Sequence, residues 1–318
     1  MYNKHMFVLV VRQLFIMLLI AFSGFIVTKN FGFGEKEQKF VSKILTYFIN
    51  PSLIIARFDM DFNFERLKTL GIVILLSIVI HFVMILVSIL FIRKRTPVDY
   101  EFADIERVGI VFTNCGFIGI PLISGVFPDS NGVFYLLAYI VCFNFLLWTC
   151  GYYMLCGKIN FKKVITNPNI LALILGLLIF CMPARLPSVL AQTVNHISSM
   201  NTGMAMFLLG MLFVTFGKFK KEYLTRAIKV CLVKYFVIAL FVLAVVFGAY
   251  HLLQNVNEIR LICYVCFIAA LCPVGMMVSS FAVLFNKDES YTAFLTLVTS
   301  VVSLVMLPLS VLSAEQFF

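Results

Sequence analysis

Asn114-Cys115-Gly116-Phe117-Ile118-Gly119-Ile120-Pro121 and Leu271-Cys272-Pro273-Val274-Gly275 are the two stretches on which the fold turns. Each places glycine and proline in the middle of a long apolar run. Proline lacks an amide hydrogen and its ring clashes with the carbonyl one turn earlier, which costs about 3 kcal/mol or more inside a helix. In hydrocarbon the freed backbone groups find no water, so a broken helix is tolerated only where protein or a wet cavity satisfies it. One such proline reads as an ordinary kink. Two, at matching places in two series of apolar runs, point to a site.

The runs around these stretches recur from end to end. Hydrophobic residues make up 62% of the 318, and the mean hydropathy is +1.03. Soluble domains hold about 45–50% apolar residues, so the solvent for this chain is lipid. A crossing helix needs about 20 mostly apolar residues. Such spans are expected near residues 6–28, 38–57, 68–92, 103–128 and 132–156, and again near 167–183, 189–217, 226–253, 258–285 and 290–314. The second series follows the first at a near-constant offset of about half the chain, the hydropathy signature of an internal repeat. Five spans per half is an odd number, so the second half enters the membrane from the opposite face. The expected fold is an all-α integral membrane protein with ten transmembrane helices in two inverted repeats of five, helices 4 and 9 being broken and crossing. The halves are residues 1–156 and 167–318, joined by a short cytoplasmic linker at 157–166.

Charged residues are only 13% of the chain, so the net charge of +10 sits in the gaps between spans and does not form a nucleic-acid-binding face. Short cytoplasmic loops collect Lys and Arg. One side receives eighteen of the 25 basic residues, among them Arg93 to Arg95, Lys218 to Lys221, Arg226, Lys229 and Lys234. That side is read as cytoplasmic, which puts both termini outside a multi-pass protein of the cell membrane. The nine cysteines all fall in or at the ends of apolar segments and read as free thiols. Cys263-x-x-Cys266 lies inside an apolar helix without the βαβ setting of a redox motif. The first apolar run, Met6 to Thr28, is too long for a signal-peptide core and reads as the first span.

The chemistry expected at the breaks follows from helix ends. Proline suits the first turn of a helix, so Pro121 and Pro273 can each start a half-helix whose exposed amides carry partial positive charge and attract anions. Secondary transporters build midplane sites in this way. Gly116, Gly119 and Gly275 let backbone approach a ligand closely, and Asn114 adds a side-chain amide beside the first break. Asn144 is a second buried amide that reads as a further binding group or as interhelical glue. His81, in the third span, reads as a histidine bonded between helices or as a proton-coupling group. Neither break carries a carboxylate, which argues against an acidic cation site. No metal, cofactor or catalytic residue is expected, although coupling to a proton or sodium gradient stays open.

These residues also carry a resemblance. Asn114 to Ile123, NCGFIGIPLI, resembles the N-x-x-x-x-G-[IL]-P-L signature of the auxin efflux carrier family, which includes plant auxin exporters and bacterial permeases. Ala270 to Phe281, ALCPVGMMVSSF, is similar to that family's Pro-x-Gly crossover segment. Asn50-Pro51-Ser52-Leu53 and Leu307-Pro308-Leu309 also match family positions. The resemblance implies a ten-helix inverted repeat with a central crossover, a substrate carboxylate held by Asn114, and a second amide at Asn144, four residues before Trp148, where plant members carry glutamine. The chain departs from many plant members in having no long loop between the fifth and sixth spans.

The functional expectation is a secondary transporter moving a small organic anion, a carboxylate of the auxin or malate/malonate kind, by alternating access. A sodium-coupled organic-anion symporter of the bile acid transporter type is the alternative. An intramembrane enzyme would need a constellation such as H-E-x-x-H, and His5, His81, His196 and His251 are not so spaced. A channel would show rings of charge or a repeated filter. The expected partners are the anion, membrane lipid and a second copy of the chain in a homodimer.

Overall fold

Backbone in lipid must satisfy itself, which leaves a chain of this composition with helices or a closed barrel; the structure is helical. It is a computed structural model and describes residues 6–128, 130–157, 166–182, 185–214, 220–285 and 287–317. Twelve helical segments run through them: α1 (Met6–Phe31), α2 (35–58), α3 (Phe64–Phe91), α4 (Pro97–Val111), α5 (Cys115–Val126), α6 (Gly132–Cys156), α7 (Pro168–Cys181), α8 (Ser188–Val214), α9 (Lys221–Leu252), α10 (Ile259–Leu271), α11 (Met276–Leu284) and α12 (Glu289–Ala314). Six of these, α1, α3, α6, α8, α9 and α12, are long and apolar enough to cross a membrane. Helix α7, with 14 residues, rises only about 21 Å, short of the roughly 30 Å hydrocarbon core. Most of the linker at 157–166, and Lys158, Lys162, Lys163 and Lys218 of the basic loops, lie outside the described residues.

Several helices begin earlier than the apolar runs because polar caps start them. The Thr96 hydroxyl accepts from Asp99 N at 3.2 Å while the Asp99 carboxylate accepts from Thr96 N at 3.0 Å, with Pro97 just inside α4. Asn63, Asn167 and Asp288 cap α3, α7 and α12 by accepting from the amides of Glu65, Ile170 and Tyr291. All nine cysteines are free thiols.

Small residues let the helices touch through their backbones. Gly24 of α1 lies against the Phe207 carbonyl and Gly210 of α8 against the Ala21 carbonyl, so α1 and α8 pack with no room for a Cβ at either glycine. Helix α2 packs on α7 and α8, and Asn201 donates to Asn50 Oδ1 at 2.7 Å in the buried seam between α2 and α8. In the rest of the molecule α3 packs on α4 and α6, α9 packs on α10, and α10 also meets α6 and α12. Helix α10 is enclosed on every side from Ile262 to its end. Outward faces carry large apolar side chains, such as Phe15 and Phe22 on α1, Phe82 on α3 and Leu240 on α9, as a surface facing lipid requires.

Candidate functional site at the crossing of two broken helices

Helix α4 ends at Val111 and α5 begins at Cys115; α10 ends at Leu271 and α11 begins at Met276. Both expected breaks are present, and they meet. Residues 112–114 and 273–275 run antiparallel: Asn114 N donates to Pro273 O at 2.7 Å, Gly275 N donates to Phe112 O at 3.1 Å, and Thr113 pairs with Val274. The Thr113 hydroxyl donates across the crossing to Ala269 O at 2.7 Å, and Val274 N donates to Thr299 Oγ1 of α12 at 3.1 Å. The extended backbone of each break, at 112–114 and 273–275, is therefore paired with that of the other, inside protein. Gly275 is required by this close pass, since a Cβ there would lie 2.9 Å from Phe112 O and 3.0 Å from Thr113 O.

The crossing separates charge. The two helices that end here present carbonyls and the two that begin here present amides, so one side of it is partially negative and the other partially positive. On the carbonyl side, Lys234 of α9, 0% exposed, donates from Nζ to Ile110 O at 3.0 Å and Ala270 O at 3.5 Å. On the amide side, Cys115, Gly116 and Phe117 lack acceptors within their own helix. Asn114 stands among them, 4% exposed, and its Nδ2 has no hydrogen-bond partner. Leaving such a donor unpaired costs roughly 1–3 kcal/mol, and unpaired buried donors in native proteins are few. Gly116 is only half-buried, and a Cβ built there meets nothing within 4 Å, so space opens beside the α5 amides.

The other expected site residues are placed differently. Pro121 is not in the break: α5 opens with a wide π-turn at Cys115–Gly119, and Pro121 enters where this turn gives way to regular helix at Ile120. The wide turn accommodates a residue without an amide hydrogen, and Gln13 of α1 donates to the Pro121 carbonyl at 3.1 Å. Pro273 is in the extended segment before α11 and contributes its carbonyl to Asn114 N, so it does not start the half-helix. Gly119 packs α5 on the crossing, its Cβ position 3.5 Å from Cys272 Sγ. Asn144 is buried but occupied: Nδ2 donates to Ile140 O at 2.9 Å, and Oδ1 accepts from Asn167 at 3.5 Å. It ties α6 to the cap of α7.

His81 is fully buried behind the crossing, with Nδ1 2.8 Å from Ser77 O, Nε2 unpartnered, and its ring 4.9 Å from Tyr139 and 6.1 Å from Phe112. Two charged residues lie where hydropathy and charge pattern alone do not put them. Lys234 is not a loop charge, although its setting, VCLVKYFVI, is a lone cation in an apolar run and such a residue marks a functional site by default. Glu106 is not on a solvated face: it is 0% exposed, accepts from Tyr291 OH at 2.8 Å and pairs with Arg226 at 3.4 Å. A cavity of about 560 Å³ opens elsewhere, at the turn between α3 and α4, lined by Leu90, Phe91, Arg93, Arg95, Asp99 and Lys229.

Over 158 residues the chain is 25% identical to an uncharacterized transporter of Schizosaccharomyces pombe; the match covers 43% of this chain and 34% of the relative, so the chain spans about a third of that relative's length. The family model described as membrane transport protein matches residues 9–160 and 154–311, nearly the whole length. The chain belongs to the membrane transport protein family, that of the auxin efflux carriers.

Proposed function

We propose that this transporter moves a small organic anion, a carboxylate of the auxin or malate/malonate kind, by alternating access, and binds it on the amide side of the crossing. The observation that carries this reading is the unpartnered Nδ2 of buried Asn114 beside the first-turn amides of α5. A carboxylate there would accept from Asn114 and from helix amides, and the start of a helix favours an anion by roughly 0.3–1 kcal/mol, up to about 2 when partly buried. Gly116 leaves the approach open.

The architecture that goes with this function counts α4 with α5, and α10 with α11, as one interrupted span each. Ten spans then fall into halves 1–156 and 167–318. Packing supports an inverted repeat. The contact of α1 with α8 has its counterpart in that of α7 with α2, and that of α3 with α6 in that of α9 with α12. The Asn50–Asn201 bond joins second and seventh spans, which are repeat mates. Moving Lys234 out of the loops leaves the basic asymmetry intact, so the turn at Arg93 to Arg95 faces the cytoplasm and both termini lie outside. Impermeant labelling of a cysteine introduced at Lys94 in intact cells is expected to fail; labelling from outside reverses the orientation.

The binding site is tested at Asn114. A hydrogen bond to a charged group contributes about 1.5–3 kcal/mol, so Asn114→Ala is expected to weaken carboxylate binding roughly 10- to 150-fold, and Asn114→Asp to abolish it by repulsion. Binding to purified protein in nanodiscs is the measurement, across a panel of mono- and dicarboxylates, with Cys150→Ala as control. Folded variants that both keep wild-type affinity would remove Asn114 from the site.

A further inference from the structure

We propose that Lys234 is the resident cation of the crossing: its ammonium holds together the C-terminal ends of α4 and α10, so that the anion moves without a sodium ion as partner. The proposal rests on the reading of the crossing as the transport site and specifies how its charge is balanced.

The geometry is that of an ion site occupied by a side chain. Lys234 lies in a π-turn of α9, Val233–Ile238, and is fully buried. Nζ donates to the carbonyls of Ile110 and Ala270, one in the last turn of each broken helix. Each helix end carries about half a negative charge, so two converging ends offset roughly one positive charge. The hydrogen bonds that Nζ makes are to these two carbonyls, and among the described residues no carboxylate pairs with it. The carbonyl ends therefore neutralise it with dipoles. Unwound half-helix ends are where secondary transporters coordinate a sodium ion; here an incoming sodium would have to displace a covalently tethered ammonium from the same oxygens. The charge also lies beside the break that carries Asn114. Ile110, whose carbonyl Lys234 takes, is four residues before Asn114. The ammonium thus adds to the field that attracts an anion.

A plain structural tie would hold the two carbonyls without needing charge, and Lys234→Gln separates the roles because the amide can still donate to them. Three measurements on the full-length protein test the proposal. Purified wild type is expected to show no saturable binding of radiolabelled sodium, whichever anion it carries. Carboxylate flux in proteoliposomes is expected to be unchanged when sodium is replaced by choline on both sides. Folded Lys234→Gln is expected to bind carboxylate at least about tenfold more weakly. Saturable sodium binding by wild type, flux lost in choline, or wild-type affinity in folded Lys234→Gln each overturns the proposal. If Lys234→Gln does not fold, the sodium measurements on wild type decide alone. Absence of carboxylate binding with sodium also unbound would instead sink the anion site and leave the resident cation standing.

Discussion

Replacing Arg226 with Met is expected to lower the stability of the folded protein by about 3–5 kcal/mol, the usual effect of removing one partner from a buried ion pair. Arg226, near the start of α9, is only 9% exposed. Its guanidinium pairs with Asp99 Oδ1 at 3.0 Å and, through Nε, with Glu106 Oε1 at 3.4 Å, and it lies 4.8 Å from the centre of the Phe102 ring. Glu106 is completely buried, and apart from Arg226 it has the Tyr291 hydroxyl on Oε1 and no hydrogen bond to Oε2. Without the guanidinium it is a carboxylate in a low-dielectric seam with one donor. The pair ties α4 to α9 and, through Tyr291, to α12, so its loss loosens the frame around the first half of the crossing. Arg226→Lys keeps a charge but not the fork that reaches two carboxylates, and is expected to recover part of the loss. Arg226→Met with Glu106→Leu removes both charges and is expected to be more stable than either single variant. Unfolding titrations in mixed micelles measure wild type, the three single variants Arg226→Met, Arg226→Lys and Glu106→Leu, and the double variant. Single variants within about 1 kcal/mol of wild type would show that water reaches Glu106 and that the pair is a surface one.

The helices were legible because lipid leaves the backbone few alternatives. The apolar run from Met6 to Thr28 became Met6–Phe31, and that from residue 132 to 156 became Gly132–Cys156. The starts were less legible, since Thr96 with Asp99, or Asn63, opens a helix from outside the apolar run by local hydrogen bonding that hydropathy does not register. Proline announced that two spans break, but not where: Pro121 is absorbed by the π-turn before it, and the chain parts at Phe112 to Asn114.

The asparagines show why a site is harder to read than a span. Asn114 and Asn144 are both single amides in apolar helices, and sequence alone separates them weakly. Asn144 sits inside a continuous helix, where the carbonyl four residues back, Ile140 O, is free to take its Nδ2. The equivalent acceptor for Asn114 would be Ile110 O, but the chain leaves the helix at Phe112 and turns Asn114 N toward Pro273 O. What leaves Asn114 open is thus the break itself, whose partner segment lies in the other half of the chain and which no local pattern encodes. Glu106 is hard to place for the same reason: its charge pattern with Arg107 and Asp104 suits a solvated juxtamembrane face, and only the arrival of Arg226 and Tyr291 from α9 and α12 makes burial affordable.

Gly275→Ala is expected to disable binding while leaving most of the protein folded. The added methyl would meet Phe112 O at 2.9 Å and Thr113 O at 3.0 Å, both backbone atoms of the opposing break and neither able to swing aside. The φ of Gly275 is not in the left-handed region, so the demand for glycine here comes from the neighbour and not from the turn. Relief requires the two breaks to separate by some tenths of an ångström. Gly275 N itself donates to Phe112 O at 3.1 Å, and the same movement pulls on Asn114 N to Pro273 O and on the Thr113–Val274 pair. Overpacking of this kind costs about 1–3 kcal/mol of stability. Binding should suffer more than stability, because Asn114 is carried on the strand that must move and a hydrogen-bonded anion tolerates little displacement of its donors. Gly116→Ala is the matched comparison: its Cβ meets nothing within 4 Å, and in a helix alanine is favoured over glycine by roughly 0.5–1 kcal/mol, so its stability should be unchanged or higher. Stability and carboxylate affinity measured on both variants in the same nanodiscs give the test. The expected pattern is a loss of affinity of at least about tenfold in Gly275→Ala with a 1–3 kcal/mol loss of stability, and no loss of stability in Gly116→Ala. Wild-type affinity and stability in Gly275→Ala would mean that the crossing yields without consequence, and that close contact between the two breaks does not position Asn114.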